Sequence, residues 1–196
     1  MKKYLFLALI LTGVLLTKSC CFKNRETIYV DYGTLEDSTI TYVPYKDFHI
    51  TEFLDTNGVK VQFITERKKT NEFDRPRTGC MFACCSSKEF RWMEDNTNFK
   101  MINDTAKSTF LHVSLSNRFD ETKLTIYDNK IHYSLRIDSL KTKKKFIVSI
   151  NNKTYTNVVK LYNYYTNGEN TDTLFYNKEF GVLKIYYKNG KSISLL

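Results

Sequence analysis

Proline is nearly missing from this chain, with two in 196 residues, and tryptophan occurs once, at Trp92. No low-complexity stretch marks a linker and no internal repeat is visible, so a solenoid or a string of modules is excluded. No apolar run approaches the roughly 20 residues that a membrane-spanning helix needs. No segment repeats apolar residues at helical spacing, which predicts little helix. The serine-hydrolase elbow G-x-S-x-G, the zincin H-E-x-x-H, the phosphate-binding Walker loop and the dinucleotide fingerprint are all absent. The pair C-x-x-C is absent too, which weakens a redox reading. There is no basic stripe with a matching motif, so nucleic acid is not an expected partner.

What the chain does hold is aromatic and alternating. Fourteen tyrosines and fourteen phenylalanines favour strands, because such side chains pack well on a pleated surface. Short segments of alternating polarity recur: Thr27–Val30, Thr39–Val43, Phe48–Leu54, Val59–Thr65, Phe90–Met93, Phe99–Ile102, Thr109–Leu115, Lys123–Tyr127, Ile131–Ile137, Phe146–Ile150, Thr154–Tyr165, Leu174–Tyr176, Val182–Tyr187 and Ser192–Leu195. Between them stand turn signals, among them Asn57-Gly58, Asp128-Asn129-Lys130, Asn151-Asn152 and Lys188-Asn189-Gly190. About a dozen short strands at this spacing predict an all-β antiparallel sandwich or barrel-like meander. Within 109–115, Thr109, Leu111, Val113 and Leu115 fall on one face and Phe110, His112 and Ser114 on the other.

The first nineteen residues read as an export signal: Lys2 and Lys3, an apolar core from Tyr4 to Leu16, then Thr17-Lys18-Ser19 before Cys20. Leu16-Thr17-Lys18-Ser19-Cys20 resembles a bacterial lipobox, which implies diacylation of Cys20 by palmitate-type chains and a membrane anchor. Thr17 and Lys18 depart from the Leu and small residue of the usual box. Thr17 and Ser19 also satisfy an ordinary signal peptidase, and both cuts fall before Cys20. Residues 20–26 would form the tether and 27–196 a single β domain. The basic residues after Cys20 point, by analogy with lipoprotein sorting, to the outer membrane facing the periplasm; secretion or a soluble periplasmic form is the alternative. Removing Lys2, Lys3 and Lys18 takes the formal charge from +9 to +6, which fits either plain solubility or a preference for anionic surfaces. The densest basic run, Lys141 to Lys145, reads as a solvated turn.

The ending Tyr176-Asn177-Lys178-Glu179-Phe180-Gly181-Val182-Leu183-Lys184, with its final hairpin, is similar to the tail of small exported lipoproteins of Gram-negative bacteria. That resemblance implies an all-β exported domain and no activity. Gly181 is expected to relieve a bend or a close backbone approach.

Cys80, Cys84 and Cys85 fall in the stretch of about 67–89, read as a long loop. In an oxidising compartment Cys21, Cys80, Cys84 and Cys85 form an even set for disulfides, with Cys80 to Cys84 or Cys85 the favoured bridge. A thiol or metal site is the alternative, since C-x₃-C-C offers three thiolates and Arg75 and Arg77 would lower a thiol pKa. His49, His112 and His132 each sit between apolar neighbours, on the opposite face; a paired site requires strands 109–115 and 131–137 to be adjacent. Trp92, Tyr162, Tyr164 and Tyr165 read as core or cross-strand residues before they read as sugar platforms. Asp-Ser/Thr-apolar triplets resemble an O-glycosylation motif and nominate Ser38, Thr105, Ser139 and Thr173. No catalytic residue, metal or cofactor is nominated. The expected function is an envelope lipoprotein serving as a binding or structural module for an apolar or glycan ligand or an envelope protein. The alternative is a thiol- or metal-dependent enzyme or redox protein using Cys80 to Cys85.

Overall fold

The computed structural model describes residues 28–74, 88–102, 109–128, 131–162 and 173–196. Strands take 63% of these and helix 9%, nearly all of the pairing antiparallel, so the all-β expectation is met. The strands are β1 (Ile28–Asp31), β2 (Ile50–Asp55), β3 (Lys60–Asp74), β4 (Lys88–Met101), β5 (Thr109–Ser116), β6 (Lys123–Tyr127), β7 (His132–Arg136), β8 (Phe146–Ile150), β9 (Lys153–Tyr162), β10 (Thr173–Asn177), β11 (Gly181–Tyr186) and β12 (Ser192–Leu195). Two short helices, α1 (Asp37–Ile40) and α2 (Ile137–Thr142), interrupt them.

The chain divides into two compact units. In the smaller, whose described residues are 28–31, 73–74 and 88–91, β1 pairs in parallel with the start of β4, from Ile28↔Lys88 to Asp31↔Arg91. There Arg91 bonds Glu89 at 2.7 Å and lies over the Tyr29 ring.

The larger unit, 32–72 and 92–196, holds the half-barrel sheet and the main core. Strand order is β7-β6-β5-β4-β3-β2-β12-β11-β10-β9-β8. Each neighbouring pair is consecutive in sequence except one: β12 lies beside β2, with Ile193↔Asp55 and Leu195↔Phe53. The sheet is therefore two meanders, β2–β7 and β8–β12, joined along a single seam. Alternation fills the concave side with Phe53, Phe63, Phe99, Leu111, Val113, Leu115, Leu124, Ile126, Leu174 and Ile185, all essentially without solvent contact. Ile150, Tyr155, Val158 and Leu183 form a second cluster on the other face of the β8–β12 meander.

The turn signals behave as read. Gly58 has φ +75° in the β2–β3 hairpin, and Asn151 and Asn152 have φ +49° and +62° between β8 and β9, the pair of left-handed residues a two-residue hairpin requires. Gly181 has φ +77°, and the Tyr45 ring packs so close that any Cβ there would overlap its phenol oxygen. The close approach expected at this glycine is present, made by a side chain from residues 32–48 rather than by a strand.

Four readings are corrected. Thr39–Val43 is not a strand: Glu36 O accepts from Thr39 N, Ile40 N and the Thr39 hydroxyl, and this local bonding closes helix α1. Phe90–Met93 and Phe99–Met101 are parts of one fourteen-residue strand, β4, with Ile102 in the turn after it. The intervening Glu-Asp-Asn-Thr-Asn has poor strand propensity, yet Asp95 is ion-paired to Arg67, and Asn96 and Asn98 bond His112. The stretch from 67 to 74 continues β3 rather than opening a loop, and Lys88–Glu89 already belongs to β4. Finally, Phe110 does not share the polar face of His112. A bulge leaves it unpaired between Leu111 and Thr109, and its ring stacks on Phe63 at 4.6 Å.

Candidate functional site

Cys20, Cys21, Cys80, Cys84, Cys85 and Thr105 lie outside the described residues, as do the signal segment 1–19, the tether and Tyr164 and Tyr165. Of the remaining glycosylation candidates, Ser38 and Ser139 are exposed but sit in α1 and α2 rather than on strand edges. Ser38 donates to Glu36 at 3.2 Å. Thr173 opens β10, half-buried. Trp92 is core-like: it is buried, donates to Glu94 at 2.9 Å and carries the Arg118 guanidinium over its ring.

The histidines do not assemble. Strands β5 and β7 are separated by β6, so His112 and His132 flank Tyr127 in one cross-strand row with Asn98. The Tyr127 ring centroid is 4.5 Å from His112 and 5.9 Å from His132. Nδ1 of His112 meets Asn98 Oδ1 at 2.6 Å and Nε2 meets Asn96 Oδ1 at 3.2 Å. Burial pushes its pKa below the ordinary value, opposed by the Glu94 carboxylate. His49 departs from the expected alternation, because Phe48 and Ile50 beside it are both exposed and Phe48 has φ +51°. Among the described residues no group of three or more His, Cys, Asp or Glu is gathered as a metal site.

An ion pair braces the interior of the larger unit. Arg67 Nε and Nη2 reach Asp95 at 2.8 and 2.5 Å, and Nη1 donates to the Tyr45 carbonyl at 2.7 Å. Asp95 is wholly buried. Such bidentate geometry fixes the register of β3 against β4 and holds the 43–47 segment beneath the sheet.

Two clefts of ligand size occupy opposite ends of β11. At the end where Gly58, Asp128 and Asn189 mark the hairpin turns, a cleft of about 520 Å³ has an apolar floor of Val61, Phe63, Met101, Phe110 and Ile193. Tyr187 and Asp128 stand at its rim, hydrogen-bonded at 3.0 Å. The bulge that turns Phe110 inward builds this floor, and no feature of the sequence pattern signalled it. At the Gly181 end a second cleft of about 610 Å³ lies among α2, β9 and the β10–β11 turn, with Lys141, Lys145 and Lys178 around Tyr42, Leu140, Val159 and Tyr176. Both volumes fall within the usual range for small-molecule sites.

No helix among the described residues is long and apolar enough to cross a membrane. No family model matches this chain, and neither a curated protein nor a solved structure is similar to it at a significant level.

Proposed function

We propose that this chain is a non-catalytic binding module of the cell envelope, exported and tethered through acylated Cys20 to the outer membrane facing the periplasm, and that it holds an apolar ligand. The carrying observation is the cleft at the hairpin end. Its lining brings Val61, Phe63, Met101, Phe110 and Ile193 together, and the bulge in β5 supplies Phe110. Burying apolar ligand surface there contributes about 25 cal/mol per Å² before the cost of association.

The full chain is expected to bind the neutral fluorophore N-phenyl-1-naphthylamine saturably, and Phe110→Asp to abolish most of that signal while leaving the circular dichroism spectrum unchanged. Absence of saturable binding, or an unaltered Phe110→Asp titration, removes the reading. Intact mass of membrane-extracted protein tests the tether. The expected species starts at Cys20 and carries acyl chains, and a chain that starts at Met1 refutes it.

A further inference from the structure

We infer that the lysine-rimmed cleft at the Gly181 end is a second binding site, for a small amphipathic anion with a phosphate or carboxylate head and a short apolar body. This inference stands apart from the apolar cleft and does not depend on it.

The floor is apolar or phenolic and closed to solvent: Leu140 from α2, Val159 from β9, Tyr176 from β10 and Tyr42 beside them. The Tyr176 hydroxyl is satisfied by the Tyr42 carbonyl, so Tyr176 offers the cleft no free polar group.

The rim is cationic and poorly neutralised. Lys141 has a carboxylate partner, Asp138 at 2.9 Å. Among the described residues Lys145 and Lys178 have none: Lys145 donates to the Leu140 carbonyl at 2.7 Å, and Lys178 sits 4.5 Å over the Tyr42 ring. Set against Glu179 and Asp138, the three lysines leave a local excess of one positive charge. Two ammonium groups over an apolar floor, without counter-ions, complement an anionic head and a hydrocarbon body together. Burial pulls the Lys145 pKa down, as expected for a cation short of a counter-charge.

The turn that carries Lys178 is built rather than loose. Buried Asn177 accepts from Glu179 N at 2.6 Å and Phe180 N at 3.1 Å, and donates to the Thr156 carbonyl at 2.6 Å. That last bond ties the turn to an irregular part of β9, where the register against β8 shifts and Asn157, a cleft residue, holds φ +55°. Left-handed backbone at a non-glycine residue costs about 1–3 kcal/mol and concentrates at functional sites. Here it lies within the wall of the cleft.

The test is calorimetric titration of the full chain with hexyl phosphate, hexanoate, hexanol and inorganic phosphate, all below any micelle-forming concentration. Hexyl phosphate is expected to bind saturably, with hexanol and inorganic phosphate each weaker by about tenfold or more, the factor one charge-assisted contact supplies. Preference for hexyl phosphate or for hexanoate tells a phosphate-headed from a carboxylate-headed ligand. Lys178→Gln and Lys145→Gln are each expected to weaken the preferred anion about tenfold, and Lys188→Gln, at the far end of β11, to leave it unchanged. Equal affinity for hexanol and the anions, no saturable binding at all, or wild-type affinity in both lysine variants overturns the site. Naphthylamine binding in the same samples reports the apolar cleft separately, so failure of one does not count against the other.

Discussion

Gly58 and Gly181 have nearly the same backbone, φ +75° and +77°, and differ only in surroundings. A Cβ at Gly58 meets open space, whereas one at Gly181 collides with Tyr45, whose phenol oxygen accepts the Val182 amide at 2.6 Å. Gly58→Ala is therefore expected to cost only the left-handed strain, about 1–2 kcal/mol. Gly181→Ala adds overpacking of about 1–3 kcal/mol to that strain. The urea midpoints of the two variants measure the gap, and equal midpoints would show that Tyr45 yields freely. Sequence reading marked both glycines but not their difference, because Tyr45 is far from Gly181 along the chain and no local pattern connects them.

His112 carries a pH prediction. Its pKa is lowered in the fold from 6.5, first by burial, with the Glu94 carboxylate acting the other way. The unfolded chain therefore binds this proton more readily than the folded one. The contribution of His112 to stability is intact above about pH 6.5 and declines as pH falls toward the depressed folded value, below which it changes no further. His112→Gln is expected to flatten that part of the stability profile. His132→Gln, across Tyr127 in the same row, is the control variant. A profile identical to wild type in His112→Gln would show that the burial of this ring carries no linkage.

At the scale of elements, β3 and β4 show how charge and strand-averse residues are carried inside a sheet. Removing one partner of a buried pair leaves the other charge unsolvated, and Arg67→Met is expected to cost about 3–5 kcal/mol by chemical denaturation. The double variant Arg67→Met with Asp95→Leu should recover most of that loss, since apolar replacement of both partners is near neutral. A double variant as unstable as the single one would mean that the Arg67 bond to the Tyr45 carbonyl, not the ion pair, is the stabilising contact. The same pair explains a misreading of the sequence. Glu94 to Asn98 looks like a break because Asp and Asn are rare in strands, and only the partners across the sheet, Arg67 and His112, reverse that preference. Alternation was legible where both neighbours were regular, as in β6. It failed where a bulge inserted Phe110, and that residue walls the apolar cleft. The cleft residues of both sites come from segments scattered along the chain, so no spacing motif exists to find them.

At the scale of the molecule, the hairpins could be read from the sequence, but the seam that joins them could not. Along the strand order from β7 to β8, every neighbour pair except β2–β12 is consecutive in sequence. The seam brings Thr56 to the carbonyl and amide of Ser192 across 136 residues. Residues 192–195 alternate like any other strand, and nothing in that alternation names β2 as the partner or sets the register of Ile193 on Asp55. Beside packing in the core and the Tyr187–Asp128 hydrogen bond, the seam is the backbone-bonded link between the two meanders among the described residues. Ser194 is the sharpest place to cut it. It is buried, pairs with Leu54 on one side and Lys184 on the other, and its hydroxyl accepts from Asn151 at 3.1 Å. Proline at this position removes a ladder amide in a central strand and leaves a buried acceptor unsatisfied, a loss of at least about 1–3 kcal/mol. Trp92, the one tryptophan, reports on the β2–β7 meander, while far-ultraviolet dichroism reports on both. In the wild-type chain the two signals are expected to unfold together in urea, as for a cooperative unit. In Ser194→Pro the dichroism transition should begin at lower urea than the fluorescence transition, because the β8–β12 meander loses its support first. Coincident transitions in the variant would show that core packing and the Tyr187–Asp128 bond, without the seam, make the two meanders one folding unit.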